Sequence, residues 1–224
     1  MTRSGAAPKT RGNIKQQVTS LKREGILEVA TRLFVKHGYH GCSMDAIAGA
    51  IGVTKPFIYY QFRDKAEILA AICRSGAELT LSAIGEAERL TGTNEERLTF
   101  FCMRLAEIVI RHDQFLMVYM RELGNLSEQH RHALVRMRDE IDRRVSRLIA
   151  AGAAAGEFEV KEPLIAARAI TGMLSYIYMW HRESDPILDD ELGKTMAEIA
   201  MRTLFAPARN SRRTKPQTAT ASRR

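Results

Sequence analysis

Apolar side chains recur every three to four residues from Ile26 to Leu204, and no stretch keeps the alternation of a half-buried strand. The pattern predicts an all-α protein. Ile26, Ala30, Leu33 and Phe34 share one face of a first helix, and Gly38 follows as a left-handed stop. Ser43 suits the cap of a second helix, with Asp45 in its first turn and Met44, Ile47, Ala48 and Ile51 as its apolar face. Gly52 supplies a turn, Thr54 caps a third helix, and Pro56 is tolerated because it lies in that helix's first turn. A long fourth helix is predicted from Lys65 to Leu90, with Ile68, Leu69, Ile72 and Cys73 inward.

Thr91, Gly92 and Thr93 then break the pattern. Thr93 and Glu96 have capping-box spacing and open a fifth helix through Leu98, Phe101, Cys102, Leu105, Ile108 and Val109. His112 and Asp113 mark a bend before a shorter helix bearing Phe115, Val118 and Tyr119. Ser127 caps a charged seventh helix that frays at Gly152 or Gly156. Pro163 starts an eighth helix to about Arg182, Ser184 to Pro186 turn the chain, and a ninth runs from Asp189 to Phe205. Residues 1–20 and 207–224 are polar and basic without a period and read as a disordered arm and tail. Between them, 21–66 is expected to form one domain of three helices and 67–206 a second of six.

Charge sharpens that division. Residues 1–70 hold 11 Lys or Arg against 5 Asp or Glu, residues 71–206 hold 17 against 21, and residues 207–224 hold 6 against none. A basic head on an acidic body suits a protein whose first third meets phosphate. The three cysteines, Cys42, Cys73 and Cys102, sit in helical patterns and read as buried, reduced thiols of a cytoplasmic protein. No apolar run approaches the length of a membrane span and no secretory segment is visible, so no membrane partner is expected.

Two short helices joined by a tight turn, the second carrying a cation and phenols, are what a duplex major groove accepts. Lys55 is the one cation in that reading helix and is the candidate for a guanine edge. The N-capping hydroxyls of Ser43 and Thr54 direct helix N-termini at phosphates. Ile26, Leu27, Ala30, Leu33, Phe34, Gly38 and Tyr39, then Ser43, Met44, Ile47 and Ala48, then Gly52 to Lys55, then Ile58 to Phe62 and Lys65, resemble the N-terminal domain of the TetR family of bacterial transcriptional regulators. That resemblance covers about a fifth of the chain. It implies that Tyr59, Tyr60 and Lys65 clamp the DNA backbone, that Gln61 takes the place of a histidine and donates to a phosphate, and that Pro56 and Phe57 offer apolar contact where the family has small or polar residues. It also implies a ligand-released homodimeric repressor on a palindromic operator. An activator or a ligand-independent regulator of the same fold is the alternative.

One reading helix buries little surface, so such domains act in pairs about 34–36 Å apart, or at multiples of that spacing. The broad apolar faces of the last two helices are the candidates for dimerisation, with Ala166, Ile170, Gly172, Leu192, Met196 and Ile199 at the interface; the same faces would serve to complete the core of one subunit. In the family the corresponding helices form a four-helix bundle across the dimer. The acidic body carries no phosphate loop, nucleophile elbow or arguable acid pair, so no enzyme and no cofactor is expected. His37, His40 and Cys42 cluster near the first turn without metal-ligand spacing, and no metal is expected there. Phe101, Leu105, Phe115, Tyr119, Met173, Tyr176, Ile177 and Trp180 are candidates for an adaptable apolar pocket, although each also suits an ordinary core. Tyr119 to Leu123, Gly156 to Phe158 and Gly172 to Arg182 are similar to family members that respond to acyl-CoA thioesters. The similarity implies a hydrophobic or acyl-CoA-like effector whose polar end meets Arg121, His181 or Arg182; the same three residues suit exposed positions or salt bridges to Glu122 and Glu183 equally well.

Overall fold

Ser43, Asp64, Thr93 and Ser127 each accept a hydrogen bond from the backbone N–H three residues on, at 3.1, 2.8, 3.1 and 3.3 Å, and each begins a helix. Thr93 and Glu96 form the reciprocal box, with the Thr93 N–H donating to Glu96 at 2.9 Å. The computed structural model describes residues 10–182 and 189–205. Among them the regular elements are α1 (Thr10–His37), α2 (Met44–Ile51), α3 (Lys55–Gln61), α4 (Lys65–Arg89), α5 (Asn94–Arg111), α6 (Asp113–Glu122), α7 (Glu128–Ala154), α8 (Pro163–Ser175) and α9 (Asp189–Arg202). Short 3-10 turns at Leu123–Asn125 and Tyr176–Met179 follow α6 and α8, and no strand is present among the described residues.

Four boundaries differ from the sequence reading. α1 continues back to Thr10, into the stretch expected to be disordered; no proline interrupts residues 10–37, and Arg, Lys and Gln are good helix formers even without an apolar face. α8 ends at Ser175, seven residues before the expected Arg182. α9 ends at Arg202, short of Phe205. α7 runs straight through Gly152, and the left-handed residue is Gly156, at φ 76°. Gly152 is buried beneath the ring of Phe158, so its role is close packing. The expected turn at Ser184 to Pro186 and the basic tail at 207–224 lie outside the described residues.

Two hydrophobic cores share α4. Ile26, Ala30 and Phe34 of α1, Ile47 of α2 and Ile58 of α3 meet Ile68, Leu69 and Ile72 of α4, and Val118, Leu126 and Leu134 of the body close that core from below. The second core gathers Ala83, Ile84 and Ala87 of α4 with Leu98, Phe101, Leu105, Val145, Ile149, Ile170, Leu174, Leu192 and Met196. By length and composition α4 is apolar enough to cross a bilayer, but its apolar side chains are the seam between these cores.

Candidate functional site

The reading helix is held by contacts the sequence does not announce. The Arg23 guanidinium of α1 stacks 3.9 Å from the Phe62 ring centroid, donates to the Gln61 carbonyl and reaches Glu67 at 3.7 Å. It thereby ties the end of α3 to both α1 and α4. Its only mark in the sequence is a cation three residues before the apolar stripe, which says nothing of a partner 38 residues on. Lys22 lies 5.6 Å from the Phe57 ring, and Phe57 is half-buried against the head, which limits the apolar contact expected of it.

Outward from this frame, Lys55, Pro56, Tyr59 and Tyr60 are exposed on α3, Tyr60 at 81%. The Lys55 ammonium donates to Asp45 of α2 at 2.8 Å, and that hydrogen bond and charge raise its pKa above the ordinary lysine value. Ser43 spends its hydroxyl on the Ala46 N–H, while the Thr54 hydroxyl makes no capping bond, contrary to expectation, and is exposed beside Lys55.

Two expected backbone clamps face elsewhere. Gln61 is only 7% exposed, on the inner side of α3, so its amide is not offered to a phosphate. The Lys65 ammonium donates to the Tyr39 and Cys42 carbonyls at 2.7 and 2.6 Å and lies 4.3 Å from the Tyr39 ring centroid. Its role here is to close the loop between α1 and α2. His40 Nε2 pairs with Asn125 Oδ1 at 2.9 Å, and among the described residues no group of three His, Cys, Asp or Glu is placed to hold a metal.

Beneath the head, a cavity of about 710 Å³ opens between α4, α5, α6, α7 and α8. Of the pocket candidates, Leu105, Phe115, Tyr119 and Tyr176 line it, joined by Ile72 and Thr80 of α4. Five other pocket candidates are placed differently. Phe101 and Ile177 are fully buried in the body core, and Met173 packs against that core. Trp180 is 45% exposed outside the cavity wall. Arg121 points toward the head and donates to the Phe34 and Val35 carbonyls. His181 and Arg182 do not line the cavity either.

The polar wall comes instead from α7 and α8, where Arg138, Asp139, Asp142 and Arg168 meet. Asp142 is buried and accepts from Arg168 Nε at 3.0 Å, and Arg168 itself is largely exposed. Sequence spacing concealed this pair because 26 residues separate its members. Cys73 also lines the cavity; burial pushes its thiol up to about 12, as it does that of Cys102, so neither supplies a thiolate near neutral pH.

Of the expected interface residues, Ile170, Leu192 and Met196 are buried within the single chain, where α8 and α9 pack on α5, and Ala166 is partly covered. Gly172 and Ile199 are exposed, and Gly172 also borders the cavity. The outward face of α8 and α9 instead presents Ile165, at 65% exposure, with Ala169, Gly172 and Ile199.

Residues 26–72, which hold α2, α3 and the first turns of α4, match the family of bacterial regulatory proteins named for tetR. Residues 91–204, which hold the cavity's other walls, match the tetracyclin repressor-like C-terminal domain. The chain belongs to the TetR family, whose members are DNA-binding transcriptional regulators and not enzymes.

Among its relatives, the HTH-type transcriptional activator FasR of Mycolicibacterium smegmatis is 36% identical over 77 residues, covering 34% of this chain and 35% of that protein. The chain thus spans about a third of that relative's length. The HTH-type transcriptional repressor KstR2 of Mycobacterium tuberculosis is 22% identical over 187 residues, 83% of this chain and 93% of that protein. The crystal structure of AibR in complex with isovaleryl coenzyme A and operator DNA is similar at a TM-score of 0.68 and 24% identity, covering 83% of this chain and 98% of that one. At that identity the likeness speaks for the fold.

Proposed function

We propose that this protein is a homodimeric, sequence-specific regulator whose DNA affinity falls when an apolar acyl thioester, such as an acyl-CoA, enters the body. The observation that carries the reading is the continuity of α4, which packs against the reading unit through Ile68 and Leu69 and then walls the cavity with Ile72, Cys73, Gly76, Ala77 and Thr80. A ligand in that cavity shifts the heads only by the difference between its affinities for the two arrangements. The apolar wall suits an acyl chain, and Arg138 and Arg168 suit an anionic or phosphate-bearing end. AibR, solved with isovaleryl coenzyme A and operator DNA, supports this class of effector by analogy.

Dimerisation is assigned to the outward faces of α8 and α9 around Ile165, Ala169, Gly172 and Ile199. It sets the spacing of two reading helices on a palindromic operator. Repression is the sign we favour, in line with KstR2; the activator FasR makes activation the alternative.

Selection of bound sequences from a random duplex library tests this reading, run with purified protein alone and with added mixed acyl-CoA thioesters. A near-palindrome whose recovery falls with the thioesters is expected. No motif in either arm would overturn sequence-specific binding, and a motif indifferent to them would overturn the effector assignment.

A further inference from the structure

Lys55 and Asp45 lie 2.8 Å apart, on the first turns of α3 and α2, and both are exposed. An exposed ion pair adds little to stability, so the pair is not explained by the fold. Ser43 caps α2, and a carboxylate in its first turn is favoured by the helix dipole at any such position, which does not require that it face Lys55. Resting on the reading that α3 enters the major groove, we infer that Asp45 is a specificity-determining residue that acts with Lys55 as one unit to read a G·C pair.

The chemistry of the groove edge carries the argument. Guanine presents two acceptors, N7 and O6, where adenine presents one, so an ammonium group favours guanine. The group beside O6 in the same pair is the cytosine N4 amine, a donor. An ionised carboxylate is acceptor-only and suits that amine. With ammonium and carboxylate already in hydrogen-bond contact, donor and acceptor are side by side on the protein as acceptor and donor are on the base pair. Phosphates satisfy only the lysine and repel the aspartate. Asp45 therefore lowers binding to arbitrary DNA while preserving binding to the matched pair, which is how specificity is gained against a less preferred target.

The test is the same library selection with the full chain as wild type, Asp45→Ala and Asp45→Asn, together with the salt dependence of binding to random duplex. Asp45→Ala should keep the remaining motif, lose preference at one G·C position per half-site by about tenfold, and steepen the log–log salt slope by about 0.9. Recovery of the other positions shows that the variant folds. Asp45→Asn keeps an acceptor without charge, so it should steepen the slope while retaining part of the cytosine preference. It decides the matter if the alanine variant recovers nothing. A motif unchanged in either variant while the wild type recovers one would overturn the inference alone. No motif from the wild type would overturn the underlying reading and this inference with it.

Discussion

Glu122, at the end of α6, accepts a hydrogen bond at 3.2 Å from the backbone N–H of Tyr39, just past the end of α1. Its neighbour Arg121 completes a clasp, donating to Glu122 at 2.9 Å and to the Phe34 and Val35 carbonyls of α1's last turn. Cations at a helix C-terminus are favoured by its exposed carbonyls. Because α6 also carries Phe115, Leu116 and Tyr119 of the cavity wall, the clasp joins cavity and head along a second route beside α4. Arg121→Ala is expected to cost about 1–3 kcal/mol, since it leaves a buried carboxylate short of a charged donor. Urea denaturation measures this, and loss of the clasp should also weaken DNA binding; an unchanged midpoint would sink the assignment.

On the proposed reading, Lys55 of α3 contacts a base and Tyr60 contacts the DNA backbone. Lys55→Ala should remove discrimination at one operator position by about 1–3 kcal/mol, whereas Tyr60→Phe should weaken every sequence about equally. Competition binding against single-substitution operators distinguishes the two, and a uniform loss in the lysine variant would move base reading elsewhere.

Phe101 and Tyr176 were one class in the sequence and are two in the structure. Phe101→Ala truncates a fully buried ring and should cost about 3–5 kcal/mol. Tyr176→Ala removes an exposed cavity-lining ring, so it should leave the melting temperature nearly unchanged and, on the proposed reading, weaken binding of acyl-CoA thioesters in calorimetric titration.

Gly152→Ala offers a complementary test of packing. An added Cβ would collide with the Phe158 ring and press on Asn94, a cost of about 1–3 kcal/mol although alanine is the better helix former. A stabilised variant, judged by thermal melting, would show that α7 and Phe158 can part.

His112, between α5 and α6, has its pKa lowered by burial and by Arg111, against smaller opposing effects of Glu28 and Asp113. For a base depressed on folding, the unfolded chain binds more protons, so stability rises with pH. The contribution is full above about 6.5 and is lost as pH falls through the depressed folded value. Melting temperatures taken from pH 5 to 8 should rise up to about pH 6.5 and level off above it, and the rise should vanish in His112→Phe, which keeps a ring against Phe115.

Local rules made much of the fold legible. The caps at Ser43, Thr93 and Ser127 and the left-handed Gly38 and Gly52 are written within four residues of where they act. What stayed hidden was nonlocal. Helical periodicity marks Ile170 and Met196 as facing something apolar but cannot say whether another subunit or α5 covers them. A glycine in a helix reads alike whether it ends the helix, as Gly156 does, or makes room for a ring, as Gly152 does. Lys65 and Gln61 carry polar groups suited to phosphate, yet one is claimed by loop carbonyls and the other by the underside of α3. The cavity's ion pair between Asp142 and Arg168 is visible only once α7 and α8 are laid side by side.

The shared helix α4 has a consequence for how such proteins can be recombined. With no hinge or loop between Lys65 and Arg89, residue count along α4 sets the phase of the head relative to the body, and the α6 clasp on α1 holds it there. One residue inserted between Arg74 and Ser82 would turn the head by about 100° and shift it about 1.5 Å along the helix axis. Exchange of heads among family members is therefore a matter of phase: a chimera spliced residue for residue inside α4 keeps its register, and one spliced with a single-residue offset loses it.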